Sequence, residues 1–207
     1  MRCFSEGLQG WQADPPRVLA EAYAAARRAH ELDPRDWLST SLLGITTLWV
    51  ERRYDEAIAL ERRALELNPS AASAYQFLGC ILQFAGEPRK ALEAHERALR
   101  LNPTLQSAAL ALSDIALCHL LLGDDDAAVE LARRAVESDA TNARARQRLV
   151  AALGSAGAPD AASALDGLLR SQPGFDQGYI ESTYPFRRPE DRERFLDGLE
   201  GAGWRRG

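Results

Sequence analysis

The chain has 207 residues, 46% hydrophobic and 27% charged, a balance typical of folded globular proteins and too apolar for a disordered one. Its formal net charge of −5 and pI near 5.3 lack the basic footprint of nucleic-acid binding. The most apolar run, Ala108–Leu122, is shorter than the roughly 20 residues of a membrane span and carries Asp114 and His119, so no membrane insertion is expected.

Cys3, Cys80 and Cys118 are an odd number with no C-x-x-C spacing, which points to a reducing cytoplasm. The N-terminus has no apolar core or cleavage pattern of a signal peptide. Lys90 is the only lysine among many arginines, a bias expected of a GC-rich bacterial genome.

In chain order, residues 1–35 read as an N-terminal partial helix pair. Cys3–Trp11 suggests a short helix broken by Asp14-Pro15-Pro16, with Asp14 or Pro15 opening a second helix. That helix, Arg17–Leu32, carries Val18, Leu19, Ala22, Ala25, Ala26 and Ala29 along one side. A second unit, 36–69, pairs a helix Trp37–Val50 with one from Tyr54 or Asp55 to Leu67, and its extra residue is expected in the turn near Glu51–Arg53. The third unit, 70–103, is the regular one. Tyr75, Leu78, Gly79 and Leu82 share one helical face, Ala91, His95 and Ala98 a second, and Pro103 stops the helix. Gly79 and Ala91 are small where two packed backbones come closest.

The fourth unit, 104–140, is three residues longer, with Thr104–Leu122 as its first helix, Gly123 as its C-cap and Ala116, Ala128 and Ala135 at the small positions. The fifth, 141–173, is degenerate. Leu149 replaces the close-approach glycine, Leu168 stands where a small residue belongs, and Gly154, Gly157 and Pro159 mark the internal turn. Residues 174–207 then form a loop or extended stretch and a capping helix near Pro189–Leu199, with Glu190 and Asp191 in its first turn.

This order of landmarks over 34 residues resembles the tetratricopeptide repeat. The resemblance implies an all-α, right-handed superhelical solenoid of antiparallel helix pairs, closed by a capping helix, that binds a protein or peptide or a second copy of itself. The tail TYPFRRPEDRERFLDGLEGAGW, residues 183–204, is similar to the ending of such arrays in bacterial class III adenylate/guanylate cyclase-type signalling proteins. Pro185, Phe186, Pro189, Asp191, Arg192, Glu193, Arg194, Gly198, Leu199, Ala202 and Gly203 carry that likeness. It implies a regulatory module and no catalytic residues, since a cyclase domain would lie upstream.

Chemistry finds little support. Three consecutive carboxylates, Asp124–Asp126, point about 100° apart on a helix and suit an N-cap and first turn better than a metal. His30, His95 and His119 have no metal-ligand spacing, and His95 takes the aromatic-type place of its unit. Cys80 and Cys118 read as small buried hydrophobes. No G-x-x-x-x-G-K-[ST], G-x-S-x-G or H-E-x-x-H occurs, so no catalysis and no cofactor are expected.

The resemblance puts the first helix of each pair on a concave wall. By the phase of the third unit, that wall comprises Ser41, Ile45 and Trp49, then Gln76, Cys80 and Gln83, then Ser113, Leu117 and Arg146, flanked by Leu38, Leu48, Ser73, Phe84, Leu110, Leu120, Ala143 and Val150. Only Arg146 is basic and asparagines are missing, which speaks against a carboxylate clamp. The neutral lining suits an apolar peptide or amphipathic helix, unless a neighbouring unit, a second copy or the tail covers it. Runs such as Glu51-Arg52-Arg53 and Glu61-Arg62-Arg63 are expected on solvated convex faces.

Overall fold

The computed structural model describes residues 15–103 and 105–206, all helix and turn. In this range the helices are α1 (Pro15–Leu32), α2 (Trp37–Glu51), α3 (Tyr54–Leu67), α4 (Ala72–Phe84), α5 (Pro88–Leu101), α6 (Leu105–Leu122), α7 (Asp125–Ser138), α8 (Ala143–Ser155), α9 (Ala161–Ser171), α10 (Gln177–Thr183) and α11 (Pro189–Gly201). The expected helix Cys3–Trp11 and any cap at Asp14 lie outside the described residues.

Local chemistry sets the boundaries. Asp36 accepts hydrogen bonds from the Leu38 and Ser39 amides, Asp124 from Ala127 and Asn142 from Ala145, each satisfying a helix-start donor. Pro88 and Pro189 occupy the first turns of α5 and α11. α2 pairs with α3, α4 with α5, α6 with α7 and α8 with α9, and each pair stacks on the next as a superhelix. Gly44, Ala57, Gly79, Ala91, Ala128 and Ala135 are all buried where backbones approach.

Four details differ from the sequence reading. The additional residue of the second unit lengthens α2, which runs to Glu51, so only Arg52 and Arg53 separate it from α3. Gly154 lies inside α8, where it admits the backbone of α11; the turn glycine is Gly157, at φ +63°. The tail contains a short helix, α10, because Asp176 caps the Tyr179 amide. Glu61 is not on a solvated face: it is fully buried against Gly44 and accepts a 2.7 Å bond from Ser41.

Candidate functional site

The residues expected on the concave wall are mostly buried. Ser41, Gln83, Ser113 and Leu117 are fully buried, Ile45, Trp49 and Gln76 nearly so, and only Cys80 and Arg146 are half-exposed. Neighbouring helices cover the polar members, and the chain's own tail covers the apolar ones. Phe175, Ile180, Tyr184, Phe195, Leu199 and Trp204 share one core with Ile45, Trp49, Phe84, Leu117 and Leu120.

The tail crosses the mouth of the superhelix and then runs back. It leaves α9 beside α8, where Gln147 accepts from the Tyr184 hydroxyl at 2.6 Å and donates to Gln172 and Tyr179. At the end of α10, Arg52 of the second unit donates to the carbonyls of Glu181 and Ser182, and Arg144 of the fifth to that of Thr183. Arg144 also lies over the Trp49 and Tyr184 rings, 4.5 and 5.2 Å from their centroids. Arg187 then pairs with Asp55 while its amide donates to the Phe84 carbonyl.

From there α11 spans three successive inter-helix turns. Arg188 packs on Gly86, Arg194 bonds the Leu120 carbonyl and Asp125, and Gly198 and Gly201 meet the backbone at Ala151 and Gly154. The Trp204 indole donates to the Phe175 carbonyl and closes the tail on itself. The aromatic rings Trp49, Phe84, Tyr184, Phe186 and Phe195 form one edge-and-stack cluster along this path.

Beneath the tail lies a polar network. Asp114 accepts from Gln76 at 2.6 Å, Gln83 at 3.3 Å and Arg148 at 2.5 Å, and Arg148 also donates to Ser113. Burial pushes the Asp114 carboxyl up, but the Arg148 guanidinium, with His95, outweighs it and holds the group below its ordinary value. Arg148 is raised in turn, its partner's charge overcoming the effect of burial. His95 is neutral, lowered by burial to about 4, and stacks on Gly79 so closely that a Cβ there would lie 2.5 Å from its ring. Burial also drives Glu61 well above the carboxylate range and raises the Cys80 and Cys118 thiols, which makes both cysteines poor nucleophiles. His119 pairs with Asp124 at the end of α6, next to Gly123 in its left-handed turn.

The wall residues the sequence singled out thus divide. Gln76, Gln83 and Ser113 gather around Asp114 and Arg148, Ser41 serves Glu61, and Ile45, Trp49 and Leu117 back the tail. Arg146 bonds Ser171 at the edge. Arg52, Arg144, Arg148 and Asp114 were not singled out. A charged residue in the middle of the most apolar helix, Asp114, was the one signal available, because such a group requires a partner.

Among the described residues, no group of three His, Cys, Asp or Glu side chains could hold a metal, and no helix is long and apolar enough to cross a membrane. Stacked helix pairs with a residue-lined inner wall define a solenoid of the interaction-scaffold class. The tetratricopeptide repeat model matches residues 20–74 and 78–143, more than half of the sequence, and the chain belongs to that family. All but the first three residues of the fifth unit, and the whole tail, lie beyond the matched residues. No curated protein matches. Among solved structures, TTC0263 of Thermus thermophilus, a thermophilic TPR protein, is 20% identical, covering 96% of this chain and 98% of its own, at a TM-score of 0.65. YrrB, described as a TPR protein with an unusual peptide-binding site, is 24% identical over 87% of this chain and 92% of its own, at 0.56. PilW, a type IV pilus biogenesis factor, is 18% identical over 90% and 82%, at 0.62. At these identities the likeness speaks for the fold.

Proposed function

We propose that the chain is a non-catalytic scaffold that takes a protein or peptide partner on the part of its concave wall the tail leaves open. The observation that carries this is a cleft of about 210 Å³ between α4, α5 and α6, lined by Ser73, Gln76, Phe77, Leu99, Asn102 and Leu110 among others, with no charged side chain. A neutral concave cleft of this kind suits an apolar peptide or one face of an amphipathic helix. In this reading Ser41, Ile45, Trp49, Gln76, Gln83, Ser113 and Leu117 act as the covered floor, and Cys80 and Arg146 as its partly exposed edge. The partner is a protein, a second copy included, and not nucleic acid. The free thiols of Cys80 and Cys118 accord with a reducing cytoplasm.

The test is capture of partners on the purified chain with light scattering, followed by Ser73→Glu and Leu110→Glu. Loss of the captured partner with unchanged helical signal supports the reading. A strict monomer without partners, or a partner held equally by both variants, removes it.

A second reading is that the module regulates a nucleotide cyclase in the same or another polypeptide. The tail likeness supports it, and Phe186, Arg194 and Gly198 of that motif are the residues that fasten the cap. A cyclase domain encoded immediately upstream would favour it; an isolated gene with its own promoter would count against it.

A further inference from the structure

Among the described residues, α1 packs chiefly on α2 and has no first helix of its own pair beside it. Ala22 and Ala29 of α1 have the spacing of Ala57 and Ala64 in α3, Ala91 and Ala98 in α5, and Ala128 and Ala135 in α7. In those three helices both alanines are covered, the least so at 5% exposure, because the first helix of the same pair lies on them. On α1, Ala22 is only half-buried and Ala29 is exposed. They border a cleft of about 530 Å³ between α1 and α2, lined by Glu21, Ala22, Ala25, Ala29, Leu38 and Leu42 among others. Leu32 prolongs this face and, at 70% exposure, is the most exposed large hydrophobic side chain described. The place fits a helix antiparallel to α1 with small residues at its closest approach.

α1 itself meets that description. A second copy related by a two-fold axis across the helix presents its own α1 in the antiparallel sense, the direction a first helix takes against its partner. Ala22, Ala25, Ala29 and Leu32 follow at intervals of three, four and three residues, the spacing of a seam between two helices. With Ala22 opposite Ala25 of the second copy, symmetry sets Ala25 opposite its Ala22, and only methyl groups separate the backbones there. The same register brings Glu21 beside Arg28 of the second copy, twice, in the flanking positions that set partner and orientation in paired helices. Within one chain these two groups pair with Arg17 and Glu31 on the exposed side of α1, contacts worth little and readily exchanged. α11 packs on α8 at the other end of the array, so the pairing closes at two copies.

We infer that α1 is a dimerisation helix: two copies pair through it across a two-fold axis, each filling the other's α1–α2 cleft with its alanine face, and Glu21–Arg28 pairs set the register. This interface shares no lining residue with the cleft between α4, α5 and α6 and goes beyond the partner reading.

Sedimentation and light scattering of the full chain should show a dimer, and Ala25→Glu should leave a monomer with unchanged helical signal. Glu21→Arg and Arg28→Glu each set like charges against each other across the axis, and each should weaken the dimer on the order of tenfold. Mixed in equal amounts, the two variants should form a heterodimer as stable as the original, because every pair across the axis is then of opposite sign. Recovery on mixing also shows that both variants are folded. A chain that stays monomeric, its cleft left to residues 1–14 or to another protein, overturns the inference. So does a dimer that neither charge reversal weakens, or a pair of variants that fails to recover on mixing. Ser73→Glu and Leu110→Glu should leave the dimer intact, so a failure here is distinct from a failure of the partner reading.

Discussion

The guanidinium of Arg144 lies 4.5 Å from the centre of the Trp49 ring, although the two side chains belong to helix pairs three units apart. The superhelix therefore curls until its fifth unit faces its second, and the tail fills the space between them. Both residues are almost fully buried, so the contact operates in a desolvated site. Arg144→Ala removes the ring contact and the bond to the Thr183 carbonyl, and should lower unfolding free energy by about 1–3 kcal/mol. Arg144→Lys should recover only part of it, because an ammonium cannot stack and fork in the same way. Denaturant titration with Trp fluorescence reads both.

Asp114 and Arg148 are a buried ion pair with side chains 4% and 1% exposed. Asp114→Asn should destabilise by about 3–5 kcal/mol, since it leaves a buried guanidinium without a counter-charge. Asp114→Leu combined with Arg148→Met should cost far less than either single change. A double-mutant cycle in urea gives the coupling; additive losses would show that the pair does not act as a unit.

His95 and Glu61 give opposite pH slopes. His95 titrates near 4 in the fold against an ordinary 6.5, so as pH falls from 6.5 toward 4 the unfolded chain takes up a proton that the native one refuses. Stability is lost over that window, by up to about 3 kcal/mol, and His95→Phe should abolish the loss. Glu61 is raised, so the native state keeps a proton that the unfolded chain releases as pH rises past 4.5, and stability falls upward from there. Glu61→Gln should raise the melting temperature at pH 7 while keeping the Ser41 bond. Melting curves from pH 4 to 8 separate the two.

The helix pairs were legible because small residues and prolines recur at fixed spacing and backbones must approach there. The covering of the wall was open in the sequence, with a neighbouring unit, a second copy and the tail as alternatives. The residues that hold the tail there were not legible. Arg52 looked like one more solvated charge in Glu51-Arg52-Arg53, and only its place in a turn that elsewhere uses Gly86, Gly123 and Gly157 distinguishes it. Leu149 drew attention as a missing glycine, whereas the glycine that matters in the fifth unit is Gly154, whose partner Gly198 lies in the tail. Contacts between the tail and the second unit depend on the curl of the whole array, which no local spacing encodes.

Gly154→Ala and Gly157→Ala should therefore differ sharply. At Gly154 a methyl group would overlap the backbone of α11 and detach the cap, seen as loss of amide protection at Ala202 and Trp204. At Gly157 there is open space, and the cost is only the left-handed backbone, about 1–2 kcal/mol with the cap still docked.

The occupation of the wall by the tail is read most directly from nuclear Overhauser contacts in the full chain. The Phe84 and Phe186 ring centroids are 5.2 Å apart, and the Phe84 and Tyr184 centroids 6.2 Å. Strong ring-to-ring cross-peaks from Phe84 to both tail aromatics are predicted; their absence, with a Phe84 ring in contact only with its own helices, would contradict the account.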